Sequence, residues 1–345
     1  MSLKLTVVNP LTHPGWDDMV RAHEDYSFFH SSSWARALWQ AYNFTPLYFT
    51  LFEQGRLAVL VPVMEIRNSL MPKKAVSLPF TDMSDPIIDG SVSWREVIGE
   101  LVEYGQWEGW KSLEIRGMNI GDEAIPSTDY FSHELPLSGD ENAVFRNFSN
   151  GTRGNIKKAS REGVEVTITA SIESLDAFYA LHSLTRKRHG LPPQPYSFFA
   201  KVFDTILSAK MGFISLAAFK GKPVAAAMFF HFGSKAIYKY AASDPAFQNL
   251  RPNNLVLWEA IRWYCRNNFS SMNLGRTEPD NDGLRYYKSG WGAHEDVLKY
   301  YKYDFSRKAF VRGTAHVPEL YTALFKKMPA PVLNAVGSFL YKYVA

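Results

Sequence analysis

The residues best placed to do chemistry lie between Asn273 and Gly292. There a strand-like run ends at Gly275-Arg276 and a polar loop follows. A short helical segment then carries Tyr286-Tyr287-Lys288 before Gly290 and Gly292 stop it. A lysine flanked by two tyrosines and Trp291 has its charge sheltered from water. Such a cation stabilises the oxyanion that forms when an amine attacks an ester or thioester carbonyl. The same residues also permit a structural arrangement, with Lys288 riding over the Trp291 ring in a cation–π contact. Residue types and spacing leave both readings open. Metal chemistry has no comparable support, because the histidines are scattered without a familiar ligand spacing.

A second cluster is basic. Arg153, Lys157 and Arg161 recur every four residues, so a helix gathers them on one face with no acidic residue interleaved. That face is either solvated or a clamp for a phosphorylated substrate. Arg276 and Trp291 join it as substrate-binding candidates. His189 closes the cationic run Arg186-Lys187-Arg188. A positive residue suits a helix C-terminus on electrostatic grounds alone, while a neutral imidazole can take a proton from an ammonium or bind the acceptor. Asp82 and Asp85 are alternative bases, or they order a turn through side-chain bonds to the backbone. Ahead of a helix expected from Pro252, the loop Asp244–Asn254 offers Asn249, Arg251 and Asn254 near a helix N-terminus, where backbone N–H groups attract phosphate. It lacks the glycines that let a backbone wrap closely around an anion.

Two sets of similar elements are available to position these residues. The first half reads as a short strand Leu3–Val8, helices around Gly15–His23 and Ser31–Tyr42, and a hairpin Leu47–Phe52/Leu57–Met64 turning at Gly55. A helix near Trp94–Trp107 and a strand Ser112–Arg116 follow. The second half repeats the order: helices Ile172–His189 and Tyr196–Lys210, a hairpin Gly212–Phe219/Val224–His231 turning at Gly221, and a strand Ala236–Ala242. A helix from Pro252 to about Asn267 then leads to a strand Ser271–Leu274. Matching order on both sides points to an internal duplication. The expected division is residues 1–150, 151–308 and a helical tail, 309–345. In the tail Val332, Val336, Phe339, Leu340 and Tyr343 recur at helical spacing near Lys326, Lys327 and Lys342. It either docks onto the body or lies in a membrane interface.

Bulk properties agree with two folded domains. The 345 residues, 46% hydrophobic and 21% charged, describe a globular chain of sufficient length. A net charge of +4 permits a phosphate-bearing ligand, yet it is too small for nucleic-acid binding to be the function, and no DNA partner is expected. Cys265, the single cysteine, excludes an internal disulfide and reads as a buried thiol. With no leader-like start and no apolar run approaching ~20 residues, the expectation is a cytoplasmic protein, at most peripheral to the inner membrane face.

Strand-strand-strand-helix-strand, with the central helix starting after a polar loop, resembles the GNAT fold, whose helix N-terminus receives the donor's pyrophosphate. More specifically, the chain resembles the FemABX family, envelope peptidyltransferases with paired GNAT-like domains, and their FemAB-related relatives in exopolysaccharide loci. The residues that carry this are Phe29-His-Ser-Ser-Ser-Trp34, Leu78-Pro79-Phe80 with Asp85-Pro86, Arg153–Arg161, and Arg186-Lys-Arg-His-Gly-Leu-Pro192-Pro193. The most specific are Leu274-Gly275-Arg276 with Tyr287-Lys288 and Trp291-Gly292.

The resemblance implies an α/β fold of two GNAT-like domains in tandem, each a mixed twisted sheet flanked by helices, with a C-terminal helical tail. It implies amide formation by acyl or aminoacyl transfer to an amine of a phosphate-bearing envelope or exopolysaccharide precursor. Tyr287-Lys288 match the family's aromatic–lysine pair, with Lys288 stabilising the transition state, and Arg153 and Lys157 match its phosphate-binding cations more loosely. The donor is then an acyl-coenzyme A, another acyl thioester or an aminoacyl-transfer RNA, with no tightly bound cofactor. The long coiled-coil arm by which FemA and FemB proper take transfer RNA is missing from the sequence. A rival reading is a non-catalytic binding or assembly protein that retains the duplicated fold.

Overall fold

A computed structural model describes residues 3–68, 71–90, 92–117, 124–313 and 319–343. The chain clusters into two compact units, one of residues 1–131, 297–315 and 343–345, the other of residues 132–296 and 316–342. It begins in the first unit with β1 (Thr6–Val8), α1 (Trp16–Arg21), α2 (Ser32–Tyr42), β2 (Thr45–Glu53) and β3 (Arg56–Ile66). β4 (Lys74–Val76), β5 (Ile87–Ile88), α3 (Trp94–Glu108) and β6 (Ser112–Arg116) follow. β7 (Thr128–Pro136) carries the chain past the division. The second unit contains α4 (Glu141–Arg146), α5 (Asn150–Arg161), β8 (Val164–Thr169), α6 (Ile172–Arg188) and α7 (Tyr196–Val202), which runs into a π turn, Phe203–Leu207. After β9 (Gly212–Phe219), β10 (Lys222–Phe232) and β11 (Lys235–Ser243) come a 3-10 turn (Pro245–Leu250), α8 (Pro252–Arg266), β12 (Ser271–Thr277) and α9 (Asp282–Ser289). β13 (His294–Asp304) and β14 (Ala309–Phe310) return to the first unit; α10 (Glu319–Lys327) and α11 (Ala330–Leu340) belong to the second.

This division differs from one at 150/151 and 308/309. Residues 132–150 cluster with the second unit, where β7 is hydrogen-bonded beside β12 and α4 packs on α8. Residues 297–308 cluster with the first, because Tyr300–Asp304 of β13 pair antiparallel with Ser112–Arg116 of β6. Residues 314–318, 344 and 345 of the expected tail lie outside the described residues.

Each unit contains a mixed sheet, ordered β1-β2-β3-β4-β6-β13 in the first and β7-β12-β11-β10-β9-β8 in the second. Each sheet contains a parallel pair among antiparallel ones, β4 with β6 and β11 with β12. The duplication is visible in detail at the hairpins. Gln54-Gly55 and Lys220-Gly221 are two-residue loops with φ of 50° and 79°, and 50° and 75°. Both central residues are left-handed, as the twist of a tight hairpin demands. Three residues after each glycine, Ala58 and Val224 are skipped by the ladder as bulges.

In the second unit α8 buries Leu257, Ala260, Ile261 and Tyr264, a stripe at helical spacing against β9 and β10. Each large apolar side chain so buried contributes roughly 1.5–3 kcal/mol. β11 and β12 pair only through Lys235–Ile237 and Ser271–Asn273. Both strands run on beyond those residues, so the sheet parts ahead of the segment that carries Lys288.

Candidate functional site

Asn273 prepares the site. Its side chain donates to Ser132 Oγ and Glu134 Oε2, each at 3.1 Å, and accepts from the Gly275 N–H at 2.8 Å. These bonds fix β12 to β7 and hold Gly275 at φ 75°, a conformation that glycine adopts without strain. The carbonyls of Gly275 and Arg276 thereby become acceptors for a side chain from outside the ladder.

That side chain is Lys288. α9 starts at Asn281, whose side chain accepts from the Leu284 N–H, and delivers the lysine near its end. The Lys288 ammonium donates to the carbonyls of Gly275 and Arg276, both at 2.8 Å, and the residue is only 3% exposed. Burying a cation is costly unless it is hydrogen-bonded, and these carbonyls meet that requirement.

The neighbouring rings behave differently from one another. Tyr286 is 81% exposed and shelters nothing, so two tyrosines do not screen the lysine. Tyr287 and Trp291 are packed, 6.0 Å apart edge to face, with Phe148 5.0 Å from the indole. Burial pushes the Tyr287 hydroxyl well above its ordinary pKa, and neighbouring Tyr238 of β11 adds to the rise. Tyr287 and Tyr238 pack against the same apolar cluster and α9 contacts β12, which puts α9 beside the parting of β11 and β12.

The two glycines after Lys288 have separate reasons. Gly290 has ordinary helical angles but lies where a Cβ would come within 2.6 Å of Thr152 Oγ1. Gly292 takes φ 73° and would bring a Cβ to 3.1 Å from the Asn147 carbonyl. The Ser149 N–H donates to the Gly290 carbonyl at 2.9 Å, locking the start of α5 against the end of α9.

One residue near the lysine carried no sequence signal. His133 on β7 is fully buried, with Nε2 3.0 Å from Thr277 Oγ1 and Nδ1 3.9 Å from Glu295 Oε2. Burial first, and the charge of Lys288 second, lower its pKa to about 4. It is a neutral ring at physiological pH. Glu295 is in turn held by Arg285, whose Nε donates at 2.7 Å.

The remaining candidates are dispersed. Arg153 donates to the Arg146 carbonyl at 2.8 Å and to Asn150 Oδ1 at 2.5 Å, so it turns back to tie the end of α4 to the start of α5. Lys157 and Arg161 instead line a groove of about 520 Å³ with Phe145, Trp258, Glu259 and Arg262. The expected row of three cations is therefore split. Arg276 is partly exposed, with Nε 3.9 Å from Glu278 Oε1. His189 is an exposed C-cap of α6, its pKa lowered by desolvation and then by Arg188, Arg186 and Lys326.

Asp85 and Asp82 belong to the first unit. The Asp85 carbonyl lies 2.9 Å from His30 Nε2, and its carboxylate crowds Gly117. The Asp82 carbonyl accepts from the Tyr300 hydroxyl. In the donor loop Asn249 is exposed, Asn254 is buried in the first turn of α8, and Arg251 is the N-cap, left-handed at φ 60°. An arginine thus makes the turn for which a glycine would be the unstrained choice. Cys265 is buried, and burial raises its thiol pKa, as an inert core cysteine requires. Among the described residues, no His, Cys, Asp or Glu cluster is arranged to hold a metal ion.

Known proteins resemble the chain at two levels, sequence and fold. Residues 146–289 match an acetyltransferase (GNAT) domain. Over 139 residues the chain is 29% identical to the UDP-N-acetylmuramoylpentapeptide-lysine N(6)-alanyltransferase of Weissella viridescens, covering 40% of this chain and 41% of that enzyme. The crystal structure of FemX superposes with a TM-score of 0.67 at 13% identity, over 86% of this chain and 97% of that one. The chain is thus similar to FemABX-related GNAT proteins, in sequence over part of its length and in fold over most of it. A tandem GNAT protein from the clavulanic acid pathway has the same fold, with a TM-score of 0.55 at 8% identity, over 88% and 98% of the two chains. The expected α/β fold with tandem GNAT-like domains is therefore the fold this chain adopts.

Proposed function

We propose that this protein transfers an acyl or aminoacyl group to an amine of a cell-envelope precursor, forming an amide. The observation that carries the reading is the buried ammonium of Lys288, held by two backbone carbonyls beside the parting of β11 and β12. The acceptor nitrogen would attack the donor's carbonyl carbon, and negative charge would grow on the carbonyl oxygen. A fixed cation in a site of low polarity stabilises that charge without reorganising. The carbon–oxygen or carbon–sulfur bond then breaks, and the leaving group takes the proton lost by the amine. Tyr287, packed on Trp291, would anchor α9, and neutral His133 would keep Thr277, adjoining the Arg276 carbonyl, in place.

Lys157 and Arg161 would hold phosphate of the acceptor, aided by Trp258, which lines the same groove. The similarity to the Weissella alanyltransferase supports a muropeptide-type acceptor and an aminoacyl group. The donor loop supports a charged transfer RNA over coenzyme A: a 3-10 turn and the left-handed Arg251 stand where close wrapping of a pyrophosphate needs glycine. Acyl thioesters are the alternative, as the fold is shared with yeast N-myristoyltransferase bound to myristoyl-CoA. We place the reaction in the cytoplasm, where activated donors are made, and a lipid-carried acceptor would be met at the membrane face.

The direct experiment incubates the protein with UDP-N-acetylmuramoyl-pentapeptide and either alanyl-transfer RNA or acyl-coenzyme A. Mass spectrometry should find the acceptor heavier by one acyl residue. An unmodified acceptor with both donors would contradict the reading and favour a binding role.

A further inference from the structure

The two helices after β14 carry a surface that the proposed reaction does not use. Their inner side is docked on α6 and the segment after it. Leu333 and Phe325 are buried, and Gly337 lies so close to the Pro193 carbonyl that a Cβ would come within 2.1 Å of it. Beyond α11, Arg186 Nη2 donates to the Tyr341 hydroxyl at 3.0 Å, which donates to the Pro192 carbonyl at 3.3 Å. The outer side is apolar and open: Tyr321 is 52% exposed, Leu324 51%, Val332 49% and Phe339 58%.

Charge sharpens the picture. α11 contains no ionisable residue from Ala330 to Leu340, although a helix face turned to water ordinarily carries charges. Across residues 321–343 the sequence has Lys326, Lys327 and Lys342 and no Asp or Glu. Among the described residues no helix is long and apolar enough to cross a membrane, and α11 extends only about 16 Å. A second copy of the chain would set one cationic patch against another, which like-charge repulsion disfavours.

We propose that the outer face of α10 and α11 docks in the interface of an anionic lipid bilayer. Leu324, Val332 and Tyr321 enter the boundary between headgroups and acyl chains, and Lys326, Lys327 and Lys342 meet lipid phosphates. This attachment is independent of the acyl-transfer reading, because it is measured without turnover.

The test is cosedimentation of the full chain with phosphatidylcholine vesicles, with and without phosphatidylglycerol. The protein should pellet with the anionic vesicles. Lys326→Gln with Lys327→Gln should weaken binding roughly 30-fold. Leu324→Glu with Val332→Glu should abolish it while the melting temperature stays that of the parent. Failure of the parent to pellet with anionic vesicles overturns the proposal, as does binding unchanged in the Leu324→Glu/Val332→Glu variant. Self-association relieved by that variant, without vesicle binding, overturns it in favour of a protein partner.

Discussion

The ammonium of Lys288 and the carbonyl oxygen of Gly275 lie 2.8 Å apart, a contact between the end of α9 and the bend of β12 that precedes it. The bend exists because Gly275 takes φ 75° while Asn273 holds its N–H. Gly275→Ala should therefore cost about 1–2 kcal/mol in stability and displace the lysine's acceptors. Urea unfolding should show the loss, with transfer activity falling further than stability accounts for. A variant with parental activity would separate the bend from the site.

Gly290 tests the packing of α9 on α5. A methyl group there would meet Thr152 Oγ1 at 2.6 Å, and overpacking of this kind costs roughly 1–3 kcal/mol. Thr152→Ala should recover part of that loss in the double variant, giving a coupling energy outside experimental error in a denaturation cycle. Strict additivity would contradict the contact.

Two buried histidines set an acid limit. Burial, then Lys288, lowers His133 to about 4; burial, then Arg186, lowers His182 to about 3. Above the ordinary value of 6.5 both states hold neutral rings and the full stability is present. As pH falls from 6.5 through 4 toward 3, the unfolded chain takes up protons that the folded chain refuses, and stability drops. His182 stacks on Phe178 and meets Phe199 edge to face, with no partner for Nε2. His182→Phe should therefore show a smaller decline in urea midpoint between pH 7 and pH 5. An identical decline would place the sensitivity elsewhere.

The split of the basic helix predicts unequal effects. Lys157→Gln and Arg161→Gln should each raise the KM for a phosphate-bearing acceptor roughly tenfold, the scale of one charge-assisted hydrogen bond. Arg153→Gln should change KM little, because that guanidinium is already held by the Arg146 carbonyl and Asn150. Equal effects at all three positions would restore the single clamp.

The sequence exposed the hairpins, α8 and the lysine segment because each has a local signal: a glycine turn, an apolar stripe, a glycine stop. His133 had none. It lies on β7, where Tyr130-Phe131-Ser132-His133-Glu134-Leu135 mixes polar and apolar residues, and its role follows only from the strand's place beside β12. β13 was equally silent, since its pairing with β6 joins residues far apart in the chain. Tyr286 and Tyr287 look alike in sequence, yet helix phase turns one to water and the other inward. The left-handed Arg251 was also illegible, because nothing local distinguishes an arginine that bears strain from one that does not.

Replacement of Lys288 by Met keeps an unbranched stem and removes the charge, so its effect on transfer reads the cation directly. With alanyl-transfer RNA and UDP-N-acetylmuramoyl-pentapeptide as substrates, Lys288→Met should lower kcat at least ~100-fold, the scale of one lost oxyanion donor. Circular dichroism and KM for the acceptor should stay near the parent's. Parental turnover by folded Lys288→Met protein would contradict the account.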